Sequence, residues 1–434
     1  MERVRSVSLA SHAGQRVRVA GWLHSVRRLG GIEFVVVRDA AGLVQAVADE
    51  AALAPLRAAG ARVESVVEIE GTVKAEPQAP GGFELADPVL TVVSAVTEPT
   101  PVALGKRELK APLPQLLDHA TIANRHPTRR AVFRLAAAAM GGFRSALDAR
   151  GFVEIQSPKL VESATEGGAN VFEVSYFGRP AYLAQSPQFY KQIMVGVFER
   201  VYEVGPVFRA EPHDTVRHIN QYTSLDVELG FIESHFDVMR VLTQVLGEMF
   251  AALGTRCAAE LALLGATLPA VPAEIPHLFF ADAQERIAAA VGAHERGQPD
   301  LSPEGERWLG RWAQEELGSD FLFVTGYPMR KRPFYTHPDP ERPEHSRSFD
   351  LLFRGTELVT GGQRLHEHAA YLAALEARGL SPAPFAQYLE TFRFGMPPHG
   401  GFAIGLERFL MQLLGLPNIR LATLFPRDLS RLSP

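Results

Sequence analysis

The sequence predicts an α+β protein of two domains, a small N-terminal β-barrel and a larger domain in which helices flank an antiparallel sheet. Residues 1–97 alternate about five short β patterns with turns, which is typical of a small barrel. Residues 98–125 begin with a proline-rich stretch of little periodicity and are predicted to be a hinge. Residues 126–434 mix helical and strand patterns irregularly, as α+β domains do.

Hydrophobic periodicity places the elements of the second domain. Helices are predicted near 128–149, 236–253, 281–292, 304–317, 366–378 and 405–414. Strands are predicted near 152–155, 172–176, 201–208, 224–231, 321–324, 349–353 and 402–404. The segment SFDLLFRGTELVTGGQR, 348–364, is predicted to be a strand-turn-strand unit.

The composition is that of an ordinary globular protein, since 46% of the 434 residues are hydrophobic and 21% are charged. One cysteine, Cys257, excludes an intrachain disulfide framework, and the absence of CxxC and HExxH patterns argues against a zinc site. No apolar stretch has the length of a signal-peptide core or a membrane span, so we expect a cytoplasmic protein without a membrane partner. A net charge of −5 gives no global attraction to nucleic acid, so RNA contacts must come from local basic patches.

Two distant segments each carry an arginine beside an acid. The apolar ends of residues 208–229 predict two strands. The polar loop between them carries Arg209, Glu211, Arg217 and His218. Arginine forks suit polyphosphate oxygens, although a lone Arg–Glu pair on a strand is more often a solvated ion pair. In GGFAIGLERFLMQLLG, a glycine pair precedes an apolar-periodic helix, so Arg408 should project from the first helical turn toward a bound anion.

A third segment, GFVEIQSPKL at 151–160, follows an Ala-rich helical stretch and is predicted to end a strand at Pro158. As a single residue, Pro158 could equally be an ordinary strand terminator. In chain order, the three segments resemble motifs 1, 2 and 3 of class II aminoacyl-tRNA synthetases. The resemblance implies ATP as a substrate and a homodimer paired through motif 1. No Walker GxxxxGK[ST] element and no HIGH-like or KMSKS-like segment occurs, so the class I fold has no support.

Further segments resemble the aspartate site of the compact archaeal-type aspartyl-tRNA synthetases. SATEGGANVF, 163–172, carries Glu166 before a glycine pair and resembles a loop that opens and closes over the pocket. YLAQSPQFYKQIMV places Gln188 and Lys191 at the start of an apolar helix. A buried ammonium needs a counter-charge, which the aspartate side chain of the substrate would supply. Asparaginyl enzymes lack a lysine at this place in the motif.

The segment 348–364 adds Asp350 and Glu357, two carboxylates that would lie near the triphosphate and therefore indicate Mg²⁺. Thr360 stands where the archaeal enzymes carry serine, and it keeps the hydroxyl group. The resemblance implies that this hydroxyl contributes both to the metal site and to the aspartate site. Arg364 would grip the side-chain carboxylate of L-aspartate through a bidentate fork. Taken singly, Asp350 remains open to interpretation as a strand-edge charge and Arg364 as a surface cation.

The resemblance implies that the α-carboxylate of aspartate attacks the α-phosphate of ATP, and that the tRNA terminal hydroxyl then attacks the aspartyl-adenylate. It assigns the phosphates to Arg209, Arg217, His218 and Arg408, and the adenine to Glu211 and Tyr222. The catalytic residues are then Arg209 and Arg408, which stabilise the developing charge. Asp226 would help to hold the substrate ammonium or Lys191.

The N-terminal strands resemble the anticodon-binding OB-fold of class IIb synthetases, through VRVAGW at 17–22, two arginines at 27–28 and an aromatic residue in the following strand. The resemblance implies that Phe34 stacks on the central anticodon base, with Arg27 and Gln45 near its edge and phosphate. Glu84 is also predicted to be one of the residues that bind the anticodon. The alternative is that Phe34 is a core residue and the arginines form a solvated turn.

Two barrel positions bear on which tRNAs are charged. Archaeal-type enzymes that accept both tRNA-Asp and tRNA-Asn often carry a histidine two residues after the Gly-Trp pair and a proline just before the glycine of the strand 4–5 loop. Here His24 and Pro80 occupy those positions, which favours a non-discriminating enzyme that supplies Asp-tRNA-Asn to an amidotransferase. The alternatives are a strictly discriminating aspartyl enzyme, an asparaginyl-type enzyme or a tRNA-independent paralogue. His24 and Pro80 could also be a surface strand residue and an ordinary turn.

Overall fold

The computed structural model describes residues 2–30, 32–106, 108–162, 170–212 and 214–433. The chain divides into two compact units, Met1–Pro127 and Thr128–Pro434. Among the described residues, no helix combines the length and the apolar character needed to cross a membrane.

The first unit is a closed five-stranded barrel. Its strands are β1 (Arg16–Leu29), β2 (Ile32–Arg38), β3 (Leu43–Ala48), β4 (Val66–Ala75) and β5 (Phe83–Ser94), in the order β1-β2-β3-β5-β4. Its helices are α1 (Ala54–Ala58), α2 (Leu113–Asp118) and α3 (Ala120–Ala123). Alternate residues of each strand face inward, as Val35 and Val37 do at 0% exposure. The barrel predicted from the sequence is confirmed, and the second half of segment 98–125 forms the two short helices α2 and α3.

The second unit is built from strands and helices that alternate irregularly along the chain. Its helices are α4 (Pro127–Asp148), α5 (Gln188–Phe198), α6 (His235–Arg256), α7 (Ala258–Leu264), α8 (Phe280–Ala290), α9 (Pro303–Leu317), α10 (His368–Glu376), α11 (Ala386–Glu390) and α12 (Leu406–Leu414). Its strands are β6 (Val153–Glu154), β7 (Leu160–Val161), β8 (Glu173–Tyr176), β9 (Arg179–Leu183), β10 (Arg200–Phe208), β11 (Gln221–Gly230), β12 (His277–Phe279), β13 (Phe321–Thr325), β14 (Ser348–Phe353), β15 (Thr356–Gln363) and β16 (His399–Gly405).

Eight strands form the main sheet in the order β12-β13-β14-β15-β16-β11-β10-β6. Neighbouring strands are antiparallel except for the two edge pairs, β12 with β13 and β6 with β10. The strand alternation decides which residues reach each face. On β11, Leu225, Val227 and Leu229 join the main core with residues of α4, α6 and α12, whereas Asp226 and Glu228 point to the opposite face.

Local sequence explains where the core helices begin and which face they bury. Helix α6 starts at a capping box, in which the Ser234 hydroxyl oxygen accepts a backbone hydrogen bond and the Asp237 carboxylate accepts one from the backbone N–H of Ser234. On α4, Leu135, Ala139 and Phe143 recur every four residues, and each is fully buried.

The predicted antiparallel sheet and flanking helices are confirmed, but the prediction that a strand ends at Pro158 is wrong. Strand β6 ends at Glu154. Beyond it the backbone N–H of Ser157 donates to the carboxylate of Glu203, at 3.2 Å, instead of to a strand carbonyl. The Glu203 side chain thus takes the place of a backbone partner at Ser157, and the strand ends before Pro158.

Candidate active site

A cavity of about 620 Å³ lies over the polar face of the main sheet in the second unit. It is lined by every residue that the sequence predicted for this domain and that the structure describes. These residues are Gln188, Lys191, Arg209, Glu211, Arg217, His218, Tyr222, Asp226, Asp350, Glu357, Thr360, Arg364 and Arg408. Glu166 lies outside the described residues.

One end of the cavity is formed by the hairpin of β10 and β11. Arg209 follows the last residue of β10, and its backbone N–H donates to Asn220 O at 2.9 Å. Its guanidinium carbon lies 5.8 Å from the ring centroid of Tyr222, a distance within cation–π range. Arg209 Nη1 is 3.9 Å from Glu211 Oε1, and Glu211 Oε2 is 3.6 Å from His218 Nε2. The hairpin therefore holds a guanidinium and an imidazole around one carboxylate.

Strands β14 and β15 supply the acidic wall. Asp350 on β14 lies opposite Thr360 on β15 in the sheet register. The Thr360 hydroxyl donates to Glu357 Oε1 at 3.3 Å. Arg408, in the first turn of α12 as predicted, donates to the same oxygen at 3.4 Å. Motif 3 and the strand-turn-strand unit therefore meet in one site.

Arg332 is a buried cation that sequence reasoning missed. It donates from Nη2 to Asp350 Oδ1 at 2.9 Å, and its guanidinium carbon lies 4.0 Å from the ring centroid of Tyr327. Burial raises the pKa of Asp350 to about 6, although Arg332 opposes the shift. Asp350 is thus a buried group with its own counter-ion, and the interpretation as a strand-edge charge is wrong. No signal marked Arg332, because it lies in an irregular segment after a short 3₁₀ turn.

Glu306, in the first turn of α9, also went unpredicted. Its carboxylate lies 3.8 Å from Arg217 Nη1 and accepts a hydrogen bond from the backbone N–H of Glu357 at 3.4 Å. Burial, and then the nearby Glu357 charge, raise the pKa of Glu306 to about 7. Glu306 therefore links strand β15 of the acidic wall to the loop that carries Arg217.

The innermost part of the cavity is a buried charge network. Lys191 on α5 is 1% exposed, and its Nζ lies 3.1 Å from Asp226 Oδ1 and 3.4 Å from Glu228 Oε2. Arg364 donates from Nε to Glu228 Oε1 at 3.0 Å and from Nη2 to Gln188 Oε1 at 3.3 Å. Burial alone would raise the pKa of Glu228, but Arg364 and Lys191 more than offset it and lower that pKa. Two cations therefore face two carboxylates.

This network corrects two interpretations made from the sequence. Arg364 is 7% exposed, so it is not a surface cation. The ammonium of Lys191 already has counter-charges from Asp226 and Glu228, so the expectation that the substrate side chain supplies the counter-charge is corrected, whereas Asp226 does lie beside Lys191, which was one of its two expected roles. Glu228 was overlooked as a site residue, although its spacing of two from Asp226 on one strand signals a shared face.

A glycine makes room for the network. A Cβ on Gly401 would lie 2.0 Å from Val227 O and 2.2 Å from Glu228 Oε2. Arg364 also donates to the carbonyl of Gly401, at 3.1 Å. The glycine pair that marked motif 3 in the sequence therefore lets strand β16 pass directly over a buried carboxylate.

In the barrel, three of the predicted anticodon residues, Arg27, Gln45 and Glu84, form a hydrogen-bonded row. Arg27 donates to Gln45 Oε1 at 3.4 Å, and Gln45 Nε2 donates to Glu84 Oε2 at 3.2 Å. Phe34 pairs with Arg27 in the register of β1 and β2 and is half-buried. Its neighbours Val35 and Val37 fill the core, and Phe34 lies on the other face of the strand. The interpretation of Phe34 as a core residue is therefore not supported.

The other two barrel positions lie apart from this row. Pro80 begins a 3₁₀ turn, Pro80–Gly82, at the end of the β4–β5 loop, so it lies in the loop to which the sequence assigned it. His24 lies at a register irregularity of β1, between Leu23 and Ser25. Burial and the nearby Arg38 lower the pKa of His24. The structure therefore does not bring His24 into the hydrogen-bonded row.

Comparison with known proteins agrees with this geometry. Residues 114–429 match the family of class II tRNA synthetases (D, K and N), and residues 17–93 match an OB-fold nucleic acid binding domain. The chain is 48% identical to an aspartate–tRNA(Asp/Asn) ligase of Thermus thermophilus, with 100% of each chain covered. It is 47% identical to the ligase of that name from Deinococcus radiodurans, with 100% of this chain and 99% of the relative covered.

Among solved structures, the chain resembles asparaginyl-tRNA synthetase from Pyrococcus horikoshii in complex with asparaginyl-adenylate. The TM-score is 0.92 at 31% identity, and both chains are covered completely. The order of the three motifs, the shared cavity and these matches lead to one conclusion. The chain belongs to the class II aminoacyl-tRNA synthetases of the D, K and N group, with an N-terminal OB-fold domain.

Proposed function

We propose that this protein is an aspartate–tRNA ligase that charges both tRNA-Asp and tRNA-Asn. The observation that carries the proposal is the pair of buried cations, Lys191 and Arg364, at the inner end of a cavity whose outer end presents Arg209, Arg217 and Arg408. A small amino acid with a side-chain carboxylate fits the inner end, and a triphosphate fits the outer end. The names of the relatives from Thermus thermophilus and Deinococcus radiodurans support the same substrates.

The residues act by positioning and by stabilising charge, because the substrate carboxylate is itself the nucleophile. Arg209 would contact the α-phosphate and the attacking carboxylate of aspartate. Glu211 would accept from the adenine amino group, and Tyr222 would stack on the ring. The outer phosphates would be held by Arg217, His218 and Arg408. Negative charge that develops on the α-phosphate would then meet guanidinium groups already in place.

The acidic wall has the donor set that Mg²⁺ prefers, namely a few hard oxygens shared with phosphates. Asp350, Glu357 and Thr360 would hold the ion, and the register of β14 with β15 brings these oxygens together. The described residues contain no group of three or more His, Cys, Asp or Glu side chains suited to a metal, whereas Mg²⁺ on a nucleotide needs only one or two carboxylates. When bound, the ion would neutralise charge on the pyrophosphate leaving group.

The aspartate subsite would use the buried network directly. Arg364 would bind the side-chain carboxylate of the substrate aspartate, and Lys191 would add a second positive charge beside it. Gln188 and Asp226 would orient the α-ammonium group of the substrate. We also assign Glu166 to the aspartate site, because it precedes the glycine pair in the segment 163–172 that resembles the loop over the pocket. A site built for a charged group can reject a neutral analogue strongly, so we propose aspartate rather than asparagine, although the similar solved structure holds asparaginyl-adenylate.

The first test is ATP–pyrophosphate exchange with aspartate and with asparagine, followed by charging of total tRNA. We expect exchange with aspartate alone and charging of cytoplasmic tRNA. Exchange with asparagine instead would favour an asparaginyl-type enzyme. Exchange without any tRNA charging would favour the tRNA-independent paralogue.

On the tRNA side, we propose that Phe34, Arg27, Gln45 and Glu84 read the shared anticodon bases. We expect purified tRNA-Asp and tRNA-Asn transcripts to be charged with efficiencies within about a hundredfold of each other, equivalent to about 2.7 kcal/mol. The two anticodons differ only at the third base, where His24 and Pro80 would supply no strongly discriminating contact. The product Asp-tRNA-Asn would then be the substrate of an amidotransferase. A preference for tRNA-Asp beyond that limit would show a strictly discriminating enzyme.

We also propose a homodimer paired through residues 151–160. Val153 on β6 and Leu160 on β7 are 39% and 49% exposed, so this segment offers apolar surface for a partner subunit to cover. We expect sedimentation at micromolar concentration to give twice the mass of the 47.5 kDa chain, and Leu160→Asp to shift the population toward monomer. Leu263→Asp is a matched control, because Leu263 is equally exposed at 49% on α7. A monomeric wild-type protein would contradict the proposal.

A further inference from the structure

The segment after α12, residues 418–431, contacts the β10–β11 loop through a buried arginine. The side chain of Arg420 is only 6% exposed. Its Nη2 donates to Asp214 Oδ1 at 2.5 Å, its Nη1 to Thr215 O at 3.1 Å and its Nε to Asp428 Oδ2 at 2.5 Å. The guanidinium therefore links two residues of the loop to one residue of the terminal segment.

Backbone hydrogen bonds join the same two segments on either side of Arg420. The N–H of Ile419 donates to Val216 O at 2.9 Å, and the N–H of Asn220 donates to Arg427 O at 2.7 Å. Contacts thus begin at residue 214 and end at residue 220, which brackets the part of the loop that carries Arg217 and His218. Both of these side chains line the cavity.

We infer that Arg420 is a positioning residue for ATP, which fixes the loop 214–220 so that Arg217 and His218 face the triphosphate. This inference rests on the proposed ATP-dependent function. An unanchored polar loop would lose conformational entropy each time it closed on ATP, and that loss would weaken binding. Asp214 is 61% exposed, so the loop side of the ion pair is weak by itself. Release of the loop would leave Arg420 paired with Asp428 but would take Asp214 and Thr215 away from its two terminal nitrogens. Buried donors are costly to leave unsatisfied, and this cost favours the state in which the loop stays bound to residues 418–431.

The inference predicts a selective defect in the use of ATP. In pyrophosphate exchange with ATP and aspartate varied independently, Arg420→Gln should raise the KM for ATP by about tenfold and that for aspartate by less than about twofold. Asp214→Asn removes only the exposed partner and should raise the KM for ATP by about threefold, with an unchanged Tm. A merely structural role would affect both substrates alike, so equal rises in the two KM values would overturn the inference.

Arg38→Gln is the matched control. The Arg38 side chain is 5% exposed and pairs with Glu64 inside the barrel unit, at 2.8 Å. Its loss should lower Tm while leaving both KM values in pyrophosphate exchange unchanged. If Arg420→Gln does not fold, Asp214→Asn decides the question, and an unchanged KM for ATP in that variant overturns the inference.

The proposed function and this inference can fail separately. If the wild-type protein exchanges no pyrophosphate with aspartate, the proposed function fails. The positioning role is then tested by thermal stabilisation with magnesium-ATP, which should be smaller for Asp214→Asn than for the wild type. Equal stabilisation of the two proteins would overturn the role of Arg420.

Discussion

The Arg209→Ala and Arg408→Ala variants should each lose at least about a hundredfold in kcat/KM for pyrophosphate exchange, since each removes a charge-assisted contact of about 3 kcal/mol or more in the transition state. Arg209 lies at the hairpin with its backbone fixed to Asn220, and Arg408 lies in the first turn of α12 beside Glu357. The Arg209 guanidinium lies over the Tyr222 ring beside Glu211, and the Arg408 guanidinium donates to Glu357, so both groups are oriented before ATP arrives. Single-turnover measurement of adenylate formation is the direct readout.

The fold should survive both changes. The side chains of Arg209 and Arg408 are 39% and 33% exposed, so their removal leaves no buried cavity. We expect a Tm within about 4 °C of the wild type, because surface changes rarely exceed about 0.5 kcal/mol. Arg296→Ala is a suitable control, since Arg296 forms an exposed ion pair with Glu285 in the same unit and does not line the cavity. Exchange near the wild-type rate in either active-site variant would contradict the proposed roles.

Much of the site was predictable because its residues lie in segments with strong local patterns. Two apolar runs around a polar loop predicted the β10–β11 hairpin that carries Arg209. A glycine pair before an amphipathic helix predicted the start of α12 and the place of Arg408. In both cases the local pattern fixes the backbone, and the backbone fixes where the side chain points.

The pairing of buried charges was not predictable in the same way. Arg364 and Glu228 are 136 positions apart, and no periodicity in either segment indicates the other. Lys191 was correctly expected to need a counter-charge, but the sequence could not show that β11 supplies two. Arg332 reaches Asp350 from an irregular segment in which no pattern predicts a direction. Long-range pairs of this kind depend on the sheet order, which sequence patterns do not encode.

In the barrel, the sequence pattern likewise did not predict where one residue, His24, would lie. Period-two alternation places Phe34 and the core valines on opposite faces of β2, but the sequence alone left Phe34 open to interpretation as a core residue. The irregularity of β1 between Leu23 and Ser25 breaks that alternation at His24. An extra residue in one strand changes which face the following side chains take, so spacing from the Gly-Trp pair alone could not place His24.

Replacing Lys191 should damage the use of aspartate far more than the use of ATP. In Lys191→Leu, we expect kcat/KM for aspartate to fall by about a hundredfold or more, because an unpaired buried charge costs about 3–5 kcal/mol. The KM for ATP should change by less than about threefold, since Lys191 lies at the inner end of the cavity, away from the arginines of the outer end. Pyrophosphate exchange with each substrate varied in turn measures both effects. Equal losses for the two substrates would contradict a specificity role.

The buried network complicates this variant, because removing Lys191 also leaves Asp226 and Glu228 with less positive charge. Part of the loss could then come from a disturbed fold rather than from a missing contact with the substrate. The double variant Lys191→Leu/Asp226→Asn removes one charge of each sign and should recover much of the lost Tm. It restores no positive charge for the side-chain carboxylate of aspartate. Because Asp226 would also orient the substrate ammonium, Asp226→Asn alone is the control, and kcat/KM for aspartate in the double variant should stay below that of this single variant. Recovery of aspartate use together with Tm would show that Lys191 acts only on the fold.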